Sequence, residues 1–116
     1  MRLQKHTRLL KAAEFDRVFE KPVRSSDRYF TVLARPNELA HPRLGLVISK
    51  RKVRLAVNRN RLKRIIRENF RLSGENCCVD YVVLAGQQGG SASNDELFKS
   101  LDRHWKNIKK RCENSS

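Results

Sequence analysis

The sequence predicts a single α+β domain whose elements run α-β-β-α-β-α, with a further short strand expected around residues 52–55. Three observations carry this. Two segments in the first half alternate their side chains at the strand period of two, a third short apolar run begins at Val79, and three other segments repeat apolar residues at helical spacing. The 116 residues suit one domain spanning 1–116, with flexible ends expected over 1–8 and 113–116. A chain of this size buries roughly two-thirds of the surface it exposes when unfolded, so it needs no staple.

The first helix is read over residues 11–20, where Phe15, Val18 and Phe19 share one face and Lys21-Pro22 ends the segment. Residues 28–35 set Tyr29, Thr31 and Leu33 against Phe30, Val32 and Ala34, and residues 43–50 set Leu44, Leu46 and Ile48 against Gly45, Val47 and Ser49. Both read as strands, and the Pro-bounded loop at 36–42 makes them a hairpin. From Val57 to Arg71 the period turns helical: Leu62, Ile65, Ile66 and Phe70 form a core side, and Asn60, Arg64, Arg67 and Arg71 line up on the opposite side. Ser73-Gly74 stops that helix, residues 79–85 make the third strand, and the glycine-rich segment 86–91 reads as a flexible loop. Ser93 followed by Glu96 is a capping box for a last helix, in which Leu97, Leu101, Trp105, Ile108 and Cys112 recur at helical spacing.

Charge is the strongest functional signal. The window 43–71 holds eleven Lys/Arg and one acid, Glu68, and so carries +10 of the formal +14. A solvated helix normally intersperses acids for i,i+4 support, whereas five of the six cations of this one have no acidic partner within a turn on their own face, Glu68 one turn from Arg64 being the exception, and this points to a nucleic acid. Arginine outnumbers lysine there, as suits forked contacts to phosphate oxygens and stacking on bases. No apolar run approaches the roughly 18 residues of a membrane-spanning helix, and the polar start Met1–His6 lacks a secretion signal's apolar core. The expected location is therefore the cytoplasm.

Other chemistry finds little support. Cys77, Cys78 and Cys112 give neither a disulfide set nor a metal knuckle, and His6, His41 and His104 have no ligand spacing, so no protein-bound metal is expected. Gly86–Gly90 lacks the Gly-Lys-Ser/Thr of a phosphate loop, and no Ser-His-Asp, Cys-His or paired-carboxylate arrangement is discernible among the 12 acids, which are taken to lie on the surface. Phe15 and Phe19 fit equally a core beneath the sheet and a groove where an unpaired strand stacks its bases. Tyr29 is open in the same way, while Trp105 belongs to the core stripe of its helix. The chain reads as a binder with no catalytic side chain of its own.

Arg43-Leu-Gly-Leu-Val-Ile-Ser-Lys-Arg51, Ala56, Arg59-Asn60-Arg61-Leu62-Lys63-Arg64 and Arg67-Glu68-Asn69-Phe70-Arg71 closely resemble, in order, the signature of the bacterial ribonuclease P protein subunit. Phe15 and Phe19 match that family's N-terminal Phe-x-x-x-Phe, and residues 79–85 match its last strand. The resemblance implies a fold like the second domain of ribosomal protein S5, with a left-handed crossover through the basic helix, against the usual right-handed preference. It implies a protein that binds a large catalytic RNA, one to one and as a monomer. Together they remove the 5′ leader from precursor tRNA, with the RNA performing the chemistry and holding most of the Mg²⁺. The catalytic-RNA contacts it implies are Arg59, Asn60, Arg61, Lys63, Arg64 and Arg67, with Lys50 and Arg51 at the edge. The implied leader contacts are Phe15, Phe19, Tyr29, Thr31, Leu33, Val47 and Ser49. The chain departs from the family at Gly86-Gln87-Gln88, where relatives commonly carry basic residues, and at Leu33, where some carry an aromatic ring. Rival readings are a structural RNA-binding protein of the ribosome, which would not distinguish precursor from mature tRNA, and a self-sufficient nuclease, which would cut without an RNA partner.

Overall fold

The computed structural model describes residues 7–39, 41–73 and 78–114, so the expectations for Gly74, Cys77 and the outermost ends lie outside the described residues. The elements are α1 (Ala12–Glu20), β1 (Val23–Ser26), β2 (Phe30–Pro36), β3 (Arg43–Val47), α2 (Ala56–Ser73), β4 (Val79–Ala85), a 3₁₀ turn (Gln87–Ser91) and α3 (Asn94–Asn114). They form an α+β domain around a mixed sheet of order β1-β2-β4-β3. Arg8, at the inner limit of the segment expected to be loose, makes an isolated parallel bridge with Leu44.

Two expectations about the sheet are corrected. The strands at 30–36 and 43–47 are not a hairpin: β4 lies between them, antiparallel to β2 and parallel to β3, with α2 as the crossover joining β3 to β4. The reason is burial. Six of the seven β4 residues are buried, so this strand needs cover on both faces and takes the centre. The hairpin partner of β2 is β1, in the register Val23↔Ala34 to Ser26↔Thr31. Its sequence Val-Arg-Ser-Ser offers a single apolar side chain, too little for periodicity to reveal an edge strand. The extra strand is therefore at 23–26, and residues 52–55 instead form the turn that leads into α2.

One sheet face, carrying Phe30, Val32, Ala34, Leu44, Val79, Tyr81, Val83 and Ala85, packs against Leu62, Ile65, Ile66 and Phe70 of α2 and Leu97, Leu101, Trp105 and Ile108 of α3. Phe70, Tyr81 and Trp105 meet edge to face with centroids 5.3–5.8 Å apart. The Trp105 indole N–H donates to Asn69 Oδ1 at 2.6 Å, which satisfies two buried polar groups at once. The other face carries Val82, Leu33 and Leu84 and is covered in part by Leu9, Phe15 and Val18.

Caps set the helix starts. Glu14 Oε1 accepts from the backbone N–H of Leu10 and Lys11, both at 2.8 Å, at the start of α1. At α3, Ser93 Oγ accepts the N–H of Glu96 at 3.2 Å, but the Glu96 carboxylate accepts from the Tyr29 hydroxyl instead of reaching back, so only half of the expected box forms. The glycine cluster is a packed 3₁₀ turn rather than a flexible loop. The Gly86 N–H donates to Tyr29 O at 2.8 Å, and a Cβ on Gly86 would sit 3.0 Å from Arg28 O.

Candidate nucleic-acid interface

The α1 side of the sheet is built in three rows, fixed by register. The first is Ser26, Thr31, Leu84 and Val47; the second Arg24, Leu33, Val82 and Gly45; the third Arg35, Asp80 and Arg43. The helix covers the third row and the Val82–Gly45 part of the second, and leaves the first row open together with Arg24 and Leu33.

The third row anchors α1. Asp80, 0% exposed, accepts from Arg43 at 2.7 and 2.9 Å, from Asn37 at 2.8 Å and from Arg17 of α1 at 3.4 Å. Arg43 also reaches Glu14 Oε2 at 2.6 Å, Arg17 donates to Pro36 O, and Arg35 donates to Arg17 O. Burial alone would raise the Asp80 pKa, but the hydrogen bonds from Arg43 and Asn37 and the charges of Arg43 and Arg17 outweigh it and hold the carboxyl below its ordinary value. This corrects two expectations: not all acids lie on the surface, and Arg43 belongs to an internal ion cluster rather than to the polyanion-binding charge. The hydrogen bond to Asp80, with the charges of Asp80 and Glu14, raises the Arg43 pKa against its desolvation.

In the second row, the Phe15 ring packs directly against Gly45. A Cβ there would meet ring atoms at 2.5 and 2.7 Å, so glycine is required for α1 to sit this close.

Thr31 and Leu84 of the first row and Leu33 of the second form the floor of a cleft of about 340 Å³, which Phe19, Arg24, Asp27 and Lys52, among others, also line. Phe19 stands at its rim, 42% exposed, and Val47 continues the row beyond Leu84 at 37% exposed. The open choice for the two aromatics is thus resolved differently for each: Phe15 packs between α1 and the sheet, and Phe19 is a cleft wall. Ser49 is exposed at the turn after β3, where its Oγ accepts the N–H of Lys52 at 3.2 Å and so helps to place that lysine at the cleft. Tyr29 is separated from this group. It packs against the main core on the far side of the sheet and donates to Glu96 Oε2 at 3.0 Å, which with burial and the Glu96 charge raises its pKa. Sequence reasoning missed Arg24, Lys52 and Leu84. Strand alternation from Val82 would have found Leu84, whereas Arg24 lay in the unrecognised edge strand.

The basic helix divides into two groups. Arg59 donates to Val53 O and Arg54 O, both at 2.9 Å, closing the turn before α2. Arg61 donates to Ala92 O and Asn94 Oδ1, both at 2.7 Å, tying α2 to the start of α3. The side chains of Asn60, Lys63, Arg64 and Arg67, with those of Lys50 and Arg51 on the preceding turn, make no hydrogen bond or ion pair with any described residue. Lys63 and Arg67 border a hollow of about 190 Å³ with Arg8, Leu9, Phe15 and Gly45, on the other side of Phe15 from the cleft. The exposed surface of α2 is thus cationic and available.

One constellation that the sequence does not reveal comes together in the fold. Ser25 Oγ lies 2.7 Å from His104 Nδ1, and His104 Nε2 lies 3.2 Å from Asp27 Oδ2 without hydrogen-bond alignment. It is not a nucleophilic site. Ser25 and His104 are buried, and Asp27 is occupied by the N–H groups of Tyr29 and Phe30 and by the Ser100 hydroxyl. Its use is to hold the β1–β2 hairpin on α3. Burial lowers the His104 pKa against the pull of Asp27.

The described His, Cys, Asp and Glu residues form no group of three able to hold a metal ion, and no described helix is long and apolar enough to cross a membrane.

Comparison with known proteins adds a family to this geometry. Residues 3–109 match the family model described as Ribonuclease P. The ribonuclease P protein component of Methylococcus capsulatus is 49% identical over 110 residues, covering 94% of this chain and 86% of that protein. That of Photobacterium profundum is 44% identical over 99 residues, covering 84% of each. The solved RNase P protein of Staphylococcus aureus is similar with a TM-score of 0.80 at 34% identity, over 86% of this chain and 93% of that one. The Thermotoga maritima protein is similar with a TM-score of 0.72 at 28% identity, over 83% and 96%.

Proposed function

This chain belongs to the bacterial ribonuclease P protein family, and on that premise we propose that it binds the catalytic RNA through the exposed cations of α2 and receives the 5′ leader of precursor tRNA in the cleft beside α1. The observation that carries this reading is the separation of the two surfaces: an unpaired cationic helix face, and an apolar-floored cleft whose ends carry Lys52 and Arg24.

In this reading the protein binds and orients, and the RNA supplies the chemistry. A single strand laid along Thr31, Leu84 and Val47 can stack a base on Phe19 while its phosphates meet Lys52 and Arg24, and each stacked base adds about 1 to 3 kcal/mol. Arg64 and Arg67 meet phosphates of the catalytic RNA and screen its charge. Arg59 and Arg61, engaged with backbone carbonyls, keep that ridge rigid and retain N–H groups for further contacts. Mg²⁺ belongs to the RNA: Asp80, Asp27 and Glu14 are already satisfied by cations, hydroxyls or backbone N–H groups, do not fit a metal, and carry no step of the reaction.

The test is affinity for precursor and mature tRNA, measured with the catalytic RNA alone and with the protein added. The protein is expected to strengthen binding of precursor and leave mature tRNA nearly unchanged. Phe19→Leu should erode that preference without weakening assembly with the catalytic RNA. An equal gain for both tRNAs would assign the protein to general RNA binding, and cleavage by the protein alone would make it a nuclease in its own right.

A further inference from the structure

The cleft has a direction. It crosses the sheet from Lys52, on the turn beside the basic α2, over Leu84 and Thr31 to Arg24 on the outer strand β1. The β1 edge is not bare. Helix α3 runs beside it, with Ser100 on Asp27, Asn107 on Ser25, and Arg111 donating to the Arg24 carbonyl. Next to that line on the helix surface lie Arg103, Lys106 and Lys110, all exposed, at the i, i+3 and i+7 spacing that gathers side chains on one face.

The described acids near this surface are accounted for. Asp95 pairs with Lys99 at 3.1 Å, Asp27 lies 3.5 Å from Arg103, Glu96 accepts from Tyr29, and Asp102 accepts from Asn69. Lys106 and Lys110 make no ion pair with any described residue. Cations at the end of a helix also favour its dipole, but that effect does not require the anchoring of Arg111 on the strand that closes the cleft.

We propose that a leader longer than the cleft continues past Arg24 over the β1 edge, and that its distal phosphates are held by Lys106, Lys110 and Arg111 at the C-terminal half of α3. The inference rests on the reading of the cleft as the leader site. It makes α3 a second, sequence-independent contact for the same strand, and β1 the lip over which that strand turns. The two unpaired lysines set its strength, and for a single strand the slope of log-affinity against log-salt shrinks by roughly 0.7 of a unit for each phosphate no longer held.

The experiment uses the assembled protein–RNA enzyme and precursor tRNAs whose leaders are lengthened stepwise, comparing the wild type with Lys106→Gln/Lys110→Gln and with the charge reversal Lys110→Glu. With the wild type, affinity should go on rising after the leader is long enough to fill the cleft. With the double variant it should level off at that length, about tenfold weaker for long leaders at low salt and unchanged for short ones, with the reversal weaker still. Melting temperature and affinity for the catalytic RNA, measured alongside, report any role in helix stability or assembly. If the wild type and both variants share one length dependence, the α3 track is wrong and the cleft stands. If the wild type shows no leader dependence at any length, the cleft reading fails with it.

Discussion

At the scale of single residues, Asp80 is the most consequential group that charge counting overlooks. It neutralises Arg43, draws Arg17 of α1 onto the sheet, and does so from full burial. Asp80→Asn removes the charge while keeping the shape, and leaves Arg43 with only the partly exposed Glu14. Stability measured by urea denaturation should fall by about 3 to 5 kcal/mol, as when one partner of a buried pair is removed; a loss below about 1 kcal/mol, the range of an exposed pair, would mean that the cluster is solvated in solution. Gly45 is the second such residue. Gly45→Ala should displace the Phe15 ring at a cost of about 1 to 3 kcal/mol, and Phe15→Leu in the same chain should recover part of it. Strictly additive effects of the two changes would show that the ring and the glycine do not touch. Neither role was legible in the sequence. An aspartate flanked by apolar strand residues and a glycine in a strand announce that something unusual is near, but the partner in each case comes from a distant element.

At the scale of elements, helix α2 presents a core side and a cationic solvent side, and its sequence already says so. Leu62, Ile65, Ile66 and Phe70 are buried as their spacing requires, and Arg64 faces solvent. Replacing Arg64 and Arg67 by Ala should leave the melting temperature within a few degrees of wild type. The same change should lower the magnitude of the salt slope for catalytic-RNA binding by about one unit for each phosphate that the helix ceases to neutralise. An unchanged slope with a lowered melting temperature would reassign both arginines to the fold. Arg59 and Arg61 look identical to these in the sequence, yet they bind backbone carbonyls. Periodicity assigns a side chain to a face, but it does not say whether a carbonyl at the end of a neighbouring element waits there. The same limit explains β1 and Tyr29. A four-residue edge strand is defined by its partner, and Tyr29 stands just before β2, where alternation no longer applies and the core takes its ring.

At the scale of the whole molecule, the polar clasp between the β1–β2 hairpin and α3 gives stability a defined pH dependence. His104 is 2% exposed and its pKa is lowered by burial, so the unfolded chain takes up a proton near the ordinary value of 6.5 before the folded chain does. Stability is therefore complete above that value and falls as pH drops below it. Asp27 and Asp80, whose pKa values are lowered by their hydrogen bonds and neighbouring charges despite burial, add a second loss below about 3.8, and Glu14, lowered chiefly by the N–H groups of Lys11 and Leu10, begins to contribute near 4.5. Melting temperatures measured from about pH 7.5 down to about pH 5 should decline for the wild type and decline less for His104→Gln; parallel curves would show that folding does not change the pH at which His104 takes up its proton.

The placement of β4 between β2 and β3 also fixes when the sheet can form during synthesis. Until Val79–Ala85 has left the ribosome, β2 and β3 have no common neighbour, and every apolar side chain of β4 is missing from both cores. By then the whole of α2 has emerged, its arginines included. Long-range pairing of this kind is slow and leaves strand edges open to aggregation. The basic helix therefore precedes the fold that supports it. In the interval the nascent chain carries a concentrated positive charge on an incomplete scaffold, and a polyanion that met it there would favour the native sheet only to the extent that it binds the folded arrangement of α2 more tightly than the unfolded one.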